Sequence, residues 1–304
     1  MSANRTPATS GLVVVDKPSG MTSHDVVGRM RRIAKTRKIG HAGTLDPMAT
    51  GVLVLGVERA TKLLGHLTLT AKTYVATIRL GYATVTDDRE GARLDGGSAA
   101  DVPLDAVRAG MVALTGSIEQ VPSAVSAVKV DGRRAYDRVR SGEEVALAAR
   151  RVTVSRFDLL AERRPEPELL DLDVIVECSS GTYIRALARD LGRTLGTGGH
   201  LTALRRTRVG PFTDRDARTL DELADAADAG EDPVTLDLDR AVNAAFPRRD
   251  VDAATATVLG HGGRLSTTGL TGPYGVFGPD GRVVALVVER DGAARPEVVL
   301  RPSG

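Results

Sequence analysis

Short apolar runs alternate with turn residues along the first eighty positions. Three of these runs have the composition of buried or half-buried strands, namely residues 11–15, 51–57 and 72–80. A helix is predicted between the first two, where Thr22 or Ser23 can cap its start. Its apolar stripe consists of Val26, Val27, Met30 and Ile33. The pattern predicts strands mixed with helices from the start of the chain.

The rest of the chain continues this mixture and ends differently. Strands are predicted at 151–160 and 169–176, and helices at 104–115, 180–192 and 220–227. The stretch 214–239 is rich in acids, and the connection that follows the helix at 220–227 is predicted to be a domain border. Beyond Arg248, Gly- and Pro-containing turns separate short apolar runs, which favours a small all-β unit of hairpins. The fold class is therefore α+β, with one large and one small domain.

Composition narrows the class of protein only slightly. The chain has 304 residues, 42% of them hydrophobic, and a net charge of +2, so it can bury a sizeable core. Cys178 is the single cysteine, which excludes an intrachain disulfide and fits a reducing compartment. No apolar run approaches the roughly 18 residues of a membrane span. We expect a soluble, cytoplasmic protein.

Two polar segments suggest different roles. Residues 29–38 contain six basic residues and no acid, which favours a polyanionic partner. Residues 81–100 contain Asp87, Asp88 and Glu90, and are expected to form a polar surface hairpin or mobile loop. Their spacing matches no familiar metal-ligand pattern, so we expect no metal site there.

The segment 38–51 is the richest in candidate chemistry. Its glycines and Pro47 predict a shaped loop whose backbone can approach a ligand closely. Asp46 is its single acid, with His41 nearby, and is expected to be a carboxylate at neutral pH. A plainer interpretation makes Asp46 the N-cap of a helix that begins at Pro47. The residues alone leave both interpretations open.

This segment resembles the catalytic loop of the TruB family of tRNA pseudouridine synthases. Further blocks of similarity are Lys72-Thr73-Tyr74, 121–136, 178–192 and 201–212. The resemblance implies a pseudouridine synthase fold: a central, mostly antiparallel mixed sheet flanked by helices, plus a small C-terminal β-barrel of the PUA-like class. It implies a catalytic domain at 1–240 with an RNA-gripping insertion at about 120–150, and an RNA-binding domain at 241–304.

The resemblance also implies roles for individual residues. In this family the residue matching Asp46 is the catalytic carboxylate, that matching Tyr74 stacks on the target base, and that matching Arg185 faces the aspartate. Tyr183 and Leu204 would line the pocket, and we expect His41 to fill the space that the flipped base leaves. The expected contacts to the RNA backbone are Arg31, Arg32, Lys35, Lys38, Arg133, Arg134, Arg205 and Arg206.

The family's reaction converts uridine 55 in the T-arm of tRNA to pseudouridine. It requires no cofactor, metal or redox change, and we expect a monomer whose partner is tRNA. Two other functions would also use such residues: an RNA-binding or tRNA-folding protein, and a base-releasing glycosidase. A glycosidase normally needs a second acid to activate water, and the blocks of similarity offer only Asp46. One departure from the family occurs at Ser123 and Val125, where a proline and a tyrosine are usual.

Overall fold

The computed structural model of the chain describes residues 9–94, 96–123, 129–130, 133–134 and 147–302, with the side chains of 129–130 and 133–134 excepted. The strands are β1 (Gly11–Lys17), β2 (Ile39–His41), β3 (Thr50–Val57), β4 (Lys72–Leu80), β5 (Gly116–Gln120), β6 (Lys129–Val130), β7 (Arg133–Arg134), β8 (Arg150–Arg163), β9 (Leu170–Cys178), β10 (Gly199–Val209), β11 (Phe212–Thr213), β12 (Leu236–Asp237), β13 (Arg248–Asp250), β14 (Tyr274–Phe277), β15 (Val283–Arg290) and β16 (Ala293–Val299). The α-helices are α1 (Ser23–Ile33), α2 (Leu64–Thr68), α3 (Leu104–Ala113), α4 (Ile184–Thr194), α5 (Leu220–Asp228), α6 (Leu238–Ala245) and α7 (Ala253–Gly260).

The chain divides into two compact units. The first unit takes its described residues from Met1–Pro47, Gly51–Leu69 and Val209–Gly304, and the second from Met48–Thr50 and Thr70–Arg208. Among the described residues, no helix is both long and apolar enough to cross a bilayer. The predicted α+β class is confirmed.

Strand β1 is central to the first unit. It pairs antiparallel with β3 over its whole length and with β12 at its start. Its side chains alternate between two cores: Leu12 and Val14 pack into one, and Val13 and Val15 into the other, beside α1 and α5. Because both faces are covered, the strand is continuously apolar and lacks the polar alternation of a surface strand.

The C-terminal part of the first unit contains a separate sheet in the order β13-β14-β15-β16. Its side chains Phe277 and Leu286, together with Leu300 just after β16, join the same core as Leu12. The interpretation of this part as purely β-hairpins was wrong in one respect, because α7 lies within it. Asp252 caps α7 by accepting a hydrogen bond from the Thr255 backbone N–H at 2.7 Å. Three of its eight residues are alanine, so propensity permits this helix, but its apolar residues form no one-sided stripe that would reveal it in the sequence.

The second unit holds the sheet order β10-β4-β9-β8-β5 with helices α3 and α4. Strand β4 pairs antiparallel with β9, from Lys72 opposite Cys178 to Leu80 opposite Leu170. Side chains across this pair bond on one face, where Arg79 makes a two-point ion pair with Asp171. Tyr74 is on the alternate face, and is buried.

Helix α4 packs unusually close to the turn that follows it. A methyl group at Gly192 would overlap the backbone of Gly198 and Gly199. Gly28 of α1 differs, because a methyl group there would meet nothing within 4 Å. The two glycines therefore differ in the space available for a methyl group, which is absent at Gly192 and open at Gly28.

We predict that Gly192→Ala lowers the free energy of unfolding by about 1–3 kcal/mol, because the helix must move away from the turn. Gly28→Ala is the matched control and should raise it by up to about 1 kcal/mol through helix propensity. Urea unfolding followed by circular dichroism measures both. Equal effects of the two substitutions would contradict the close approach at Gly192.

Candidate active site

The Asp46 loop is held from both sides through its backbone. The side chain of Ser23, at the first position of α1, accepts a hydrogen bond from the Leu45 N–H at 2.9 Å and donates to the Leu45 carbonyl at 3.2 Å. On the other side, the Pro47 carbonyl accepts hydrogen bonds from the Lys17 ammonium at 3.1 Å and the Gly20 N–H at 2.8 Å. Both chain neighbours of Asp46 are therefore fixed.

Lys17 is the less expected part of this arrangement. Its side chain is fully buried, and its ammonium also donates to the Pro18 carbonyl at 2.8 Å. A buried cation is costly unless polar groups surround it, and two carbonyl oxygens supply that here. The sequence indicated only a turn at this position. It gave no sign that the Lys17 side chain bonds the carbonyl of Pro47, thirty residues later.

The structure excludes the interpretation of Asp46 as a helix cap. Residues 47–48 form a turn, and the next element within the described residues is strand β3. Asp46 is half-buried, as is His41 at the end of β2. The His41 ring packs edge-on against His24 of α1, with centroids 5.9 Å apart. The loop thus presents a carboxylate without using it for capping.

Arg185 is the best-defined candidate in the second unit. It lies in the first turn of α4 and is only 4% exposed. Its guanidinium donates to the Thr86 carbonyl at 2.9 Å and lies 3.4 Å from the Asp88 carboxylate. The arginine is therefore held in a defined direction by a carbonyl and by an opposite charge.

The loop that supplies these partners corrects a prediction. Residues 81–100 were expected to be a polar surface segment, but Asp87 and Asp88 are buried. Asp88 pairs with Arg185, and Asp87 lies 3.3 Å from Arg189 one helical turn later. Burial raises the pKa of Asp87 above its usual value, and the nearby Arg189 opposes this rise. Sequence reasoning missed both partners because long-range pairing leaves no periodic signal.

The remaining pocket candidates of the second unit lie on neighbouring elements. Tyr74 is on β4 and Leu204 on the adjacent strand β10, and both are buried. Tyr183 is half-buried at the N-cap of α4. Asp46 and His41 belong to the first unit, whereas these residues belong to the second.

Two titratable groups of β4 and β9 are shifted by burial. Burial lowers the pKa of Lys72 to about 8, with a contribution from the positive charge of Arg206. Burial raises the pKa of the Cys178 thiol to about 11. Cys178 is therefore a poor nucleophile at neutral pH, as a small buried hydrophobe should be.

The residues predicted to contact RNA differ in how far their side chains are exposed to solvent. Arg32, Lys35 and Lys38 are exposed, while Arg31 donates to the Ile39 carbonyl at 3.2 Å. Arg205 is half-exposed, but Arg206 is 1% exposed, which makes it a poorer candidate for a phosphate contact. The backbone of Arg133 and Arg134 forms β7, and their side chains lie outside the described residues, as does most of the insertion expected at 120–150.

Family models match the chain in three consecutive segments. The TruB family pseudouridylate synthase N-terminal domain matches residues 31–184, the tRNA pseudouridylate synthase B C-terminal domain matches 185–243, and the tRNA pseudouridine synthase II C-terminal model matches 246–301. The fold and the matched segments define a pseudouridine synthase, and the chain belongs to the TruB family.

Relatives of this family are similar over nearly the whole chain. A tRNA pseudouridine synthase B of Nocardia farcinica (strain IFM 10152) is 61% identical, over 99% of this chain and 96% of the relative. One from Mycobacterium bovis (strain BCG / Pasteur 1173P2) is 55% identical, over 96% of each. Among solved structures, a chain of a Cbf5-Nop10-Gar1 complex aligns with a TM-score of 0.73 and 28% identity, covering 96% of this chain and 85% of that one. The predicted family and fold are confirmed.

We predict that Asp88→Asn lowers the free energy of unfolding by about 1–3 kcal/mol, because Arg185 stays buried and loses its opposite charge. Asp158→Asn is the matched control, since its ion pair with Arg156 is largely exposed. The control should cost less than about 1 kcal/mol. Urea unfolding of both variants provides the measurement.

A double-mutant cycle of Asp88→Asn with Arg185→Gln isolates the interaction between the two side chains. The effects should be clearly non-additive. Additive effects would mean that Asp88 stabilises the loop without acting on Arg185.

Proposed function

We propose that this chain is a tRNA pseudouridine synthase that isomerises uridine 55 in the T-arm of tRNA. The observation that carries the proposal is the match of TruB family models and relatives along almost the full length, including the loop that bears Asp46. The reaction breaks the N1–C1′ bond and forms a C5–C1′ bond, while C5 loses a proton and N1 gains one. No electrons are gained or lost, so the chemistry itself calls for no redox cofactor.

We propose that Asp46 is the catalytic carboxylate. Cleavage of the glycosidic bond makes C1′ electron-poor, and a fixed carboxylate can stabilise or trap that carbon. Support comes from the two-sided hold on its backbone, because a preorganised charge loses no energy to reorientation when the transition state forms. Attack on C1′, attack on the base, and removal of a sugar proton all remain compatible with this role.

Tyr74 and Arg185 complete the proposed catalytic set. Stacking of a base on an aromatic ring contributes about 1–3 kcal/mol, comparable with the few kcal/mol that base flipping costs. Stacking on one ring therefore barely offsets the cost of base flipping. His41 is proposed to occupy the vacated position in the RNA stack. Arg185 would supply the positive charge beside the carboxylate, with Tyr183 and Leu204 around the base. Either tyrosine is a candidate for removal of the C5 proton.

The RNA backbone is proposed to contact the basic residues of α1 and the turn after it. Arg32, Lys35 and Lys38 are exposed, and the segment 32–38 contains no acidic residue. The region 1–240 would act as the catalytic domain and 241–304 as an RNA-binding domain of the PUA-like class. We propose that the enzyme works as a monomer in the cytoplasm, where its substrate tRNA is found.

We predict that Asp46→Asn binds T-arm RNA with unchanged affinity but releases no tritium from C5-labelled uridine. The amide keeps the size of the side chain and removes the negative charge that the reaction uses. Asp101→Asn, which changes an exposed acid, is the matched control and should react normally. Turnover by Asp46→Asn would remove Asp46 from the mechanism. An RNA-binding or tRNA-folding role would become the better description if the wild-type chain bound tRNA and formed no pseudouridine.

We also predict that the pair Arg32→Gln and Lys38→Gln weakens RNA binding and lowers the slope of log K against log salt by about one for each lost phosphate contact. The control pair is Arg108→Gln and Arg215→Gln, which removes two exposed charges outside the basic run. Filter binding between about 50 and 200 mM salt measures both slopes. If the two pairs changed the slope equally, net charge alone would explain the effect.

A further inference from the structure

The residue just before the helix that carries Arg185 is held by a side chain from another element. Tyr183 is the N-cap of α4 and makes no side-chain capping bond of its own within the described residues. Instead, the Gln120 side-chain oxygen accepts a hydrogen bond from the Tyr183 N–H at 2.8 Å. The Gln120 side-chain nitrogen donates to the Tyr183 carbonyl at 3.1 Å. One side chain therefore holds both backbone groups of one residue.

Four other helices of the chain are capped by the side chain of their own N-cap residue. The N-caps Thr22 of α1, Thr219 of α5, Asp237 of α6 and Asp252 of α7 each accept a hydrogen bond from an N–H three residues later. Such caps stabilise a helix end but leave its position to the packing around it. Gln120 lies 63 residues before Tyr183 and ends β5, so its contact ties the helix end to a sheet strand.

Glutamine suits this contact for a chemical reason. The primary amide has one acceptor and one donor group side by side, and so matches the N–H and C=O of one residue. Gln120 is 2% exposed, so water does not compete for these bonds. Two simultaneous contacts restrain both the position and the rotation of the Tyr183 backbone, which a single bond would not do.

A second tether connects the same strand end with the next turn of the helix. The Arg189 guanidinium donates to the Val121 carbonyl at 2.7 Å and to the Asp87 carboxylate at 3.3 Å. Consecutive residues 120 and 121 thus contact α4 at its start and about one turn beyond Arg185. The direction of Arg185 depends on this start, because it lies two residues after the clamped position.

We propose that Gln120 is a positioning residue for the isomerisation, acting through the backbone of Tyr183 to set Tyr183 and Arg185. This rests on the function proposed above. Gln120 itself contacts neither the base nor the reacting atoms. Its contribution is to keep the pocket tyrosine and the arginine in register while the nucleotide reacts, since misplacement of a catalytic group by about 1 Å can cost a hundredfold in rate.

The test substitutes Gln120→Met, which keeps the length and loses both hydrogen-bonding groups. We expect the single-turnover rate on T-arm RNA to fall at least about tenfold, with RNA affinity changed less than about twofold. Thr219→Val is the matched control, because it removes the cap of α5 and touches no candidate site residue. It should lower the melting temperature and leave the rate unchanged. A rate loss for Gln120→Met no larger than that for Thr219→Val would overturn the proposal.

Gln120→Glu supplies a pH signature that a purely structural role would not give. The ionised carboxylate keeps the acceptor for the Tyr183 N–H but has no donor for the carbonyl. A protonated carboxyl has both. Burial raises the pKa of a carboxyl above its ordinary value of about 4.3, so the ratio of variant to wild-type rate should rise as the pH falls from 8 to 5. A flat ratio would overturn the assigned donor–acceptor pairing.

Amide hydrogen exchange tests the clamp independently of activity. Gln120→Met should speed exchange at Tyr183 and at Leu187, whose N–H bonds the Tyr183 carbonyl at 3.2 Å, while Thr219→Val should leave both unchanged. Unchanged exchange in Gln120→Met would overturn the clamp. A wild-type chain that formed no pseudouridine would count against the proposed function instead, and the exchange result would still decide on the clamp.

Discussion

The candidate active site depends on holding the backbone on both sides of Asp46. A carboxylate can serve a reaction only if its oxygens stay in one place, and a glycine-rich loop provides little stiffness by itself. Ser23 and Lys17 supply the stiffness from outside the loop, by bonding the peptides of Leu45 and Pro47. The start of α1 and the end of β1 therefore fix the position of the loop.

The second unit meets the same requirement for Arg185 with opposite charges. A buried guanidinium is costly in isolation, and the Thr86 carbonyl and the Asp88 carboxylate offset that cost. Arg189 repeats the arrangement with Asp87 one turn later. The two neighbouring aspartates thus fix two arginines on one face of α4. The loop 84–91 therefore helps to set the direction of these arginine side chains.

The sequence predicted most of what is local. Apolar periodicity located β1, α1, β4 and α3, because these elements bury a regular face. The glycine and proline pattern located the Asp46 loop and the turn before α4. Prediction failed where a residue acts at long range. Nothing near Gln120, Asp88 or Lys17 distinguishes a buried clamp from an ordinary polar position, since each has a decisive partner at least 30 residues away. Helix α7 was missed because it is only eight residues long and its apolar residues form no one-sided stripe.

Strand β1 has a consequence for how the chain is made. It is synthesised early, yet Leu12 and Val14 complete their packing with Phe277, Leu286 and Leu300, which are synthesised much later. At synthesis rates of about 5–20 residues per second, the strand waits on the order of tens of seconds for these partners. During that interval the core on this face of β1 contains early members such as Val52, Val54 and Leu63, and lacks its C-terminal members. This core can therefore be completed only after the C-terminal sheet has been synthesised.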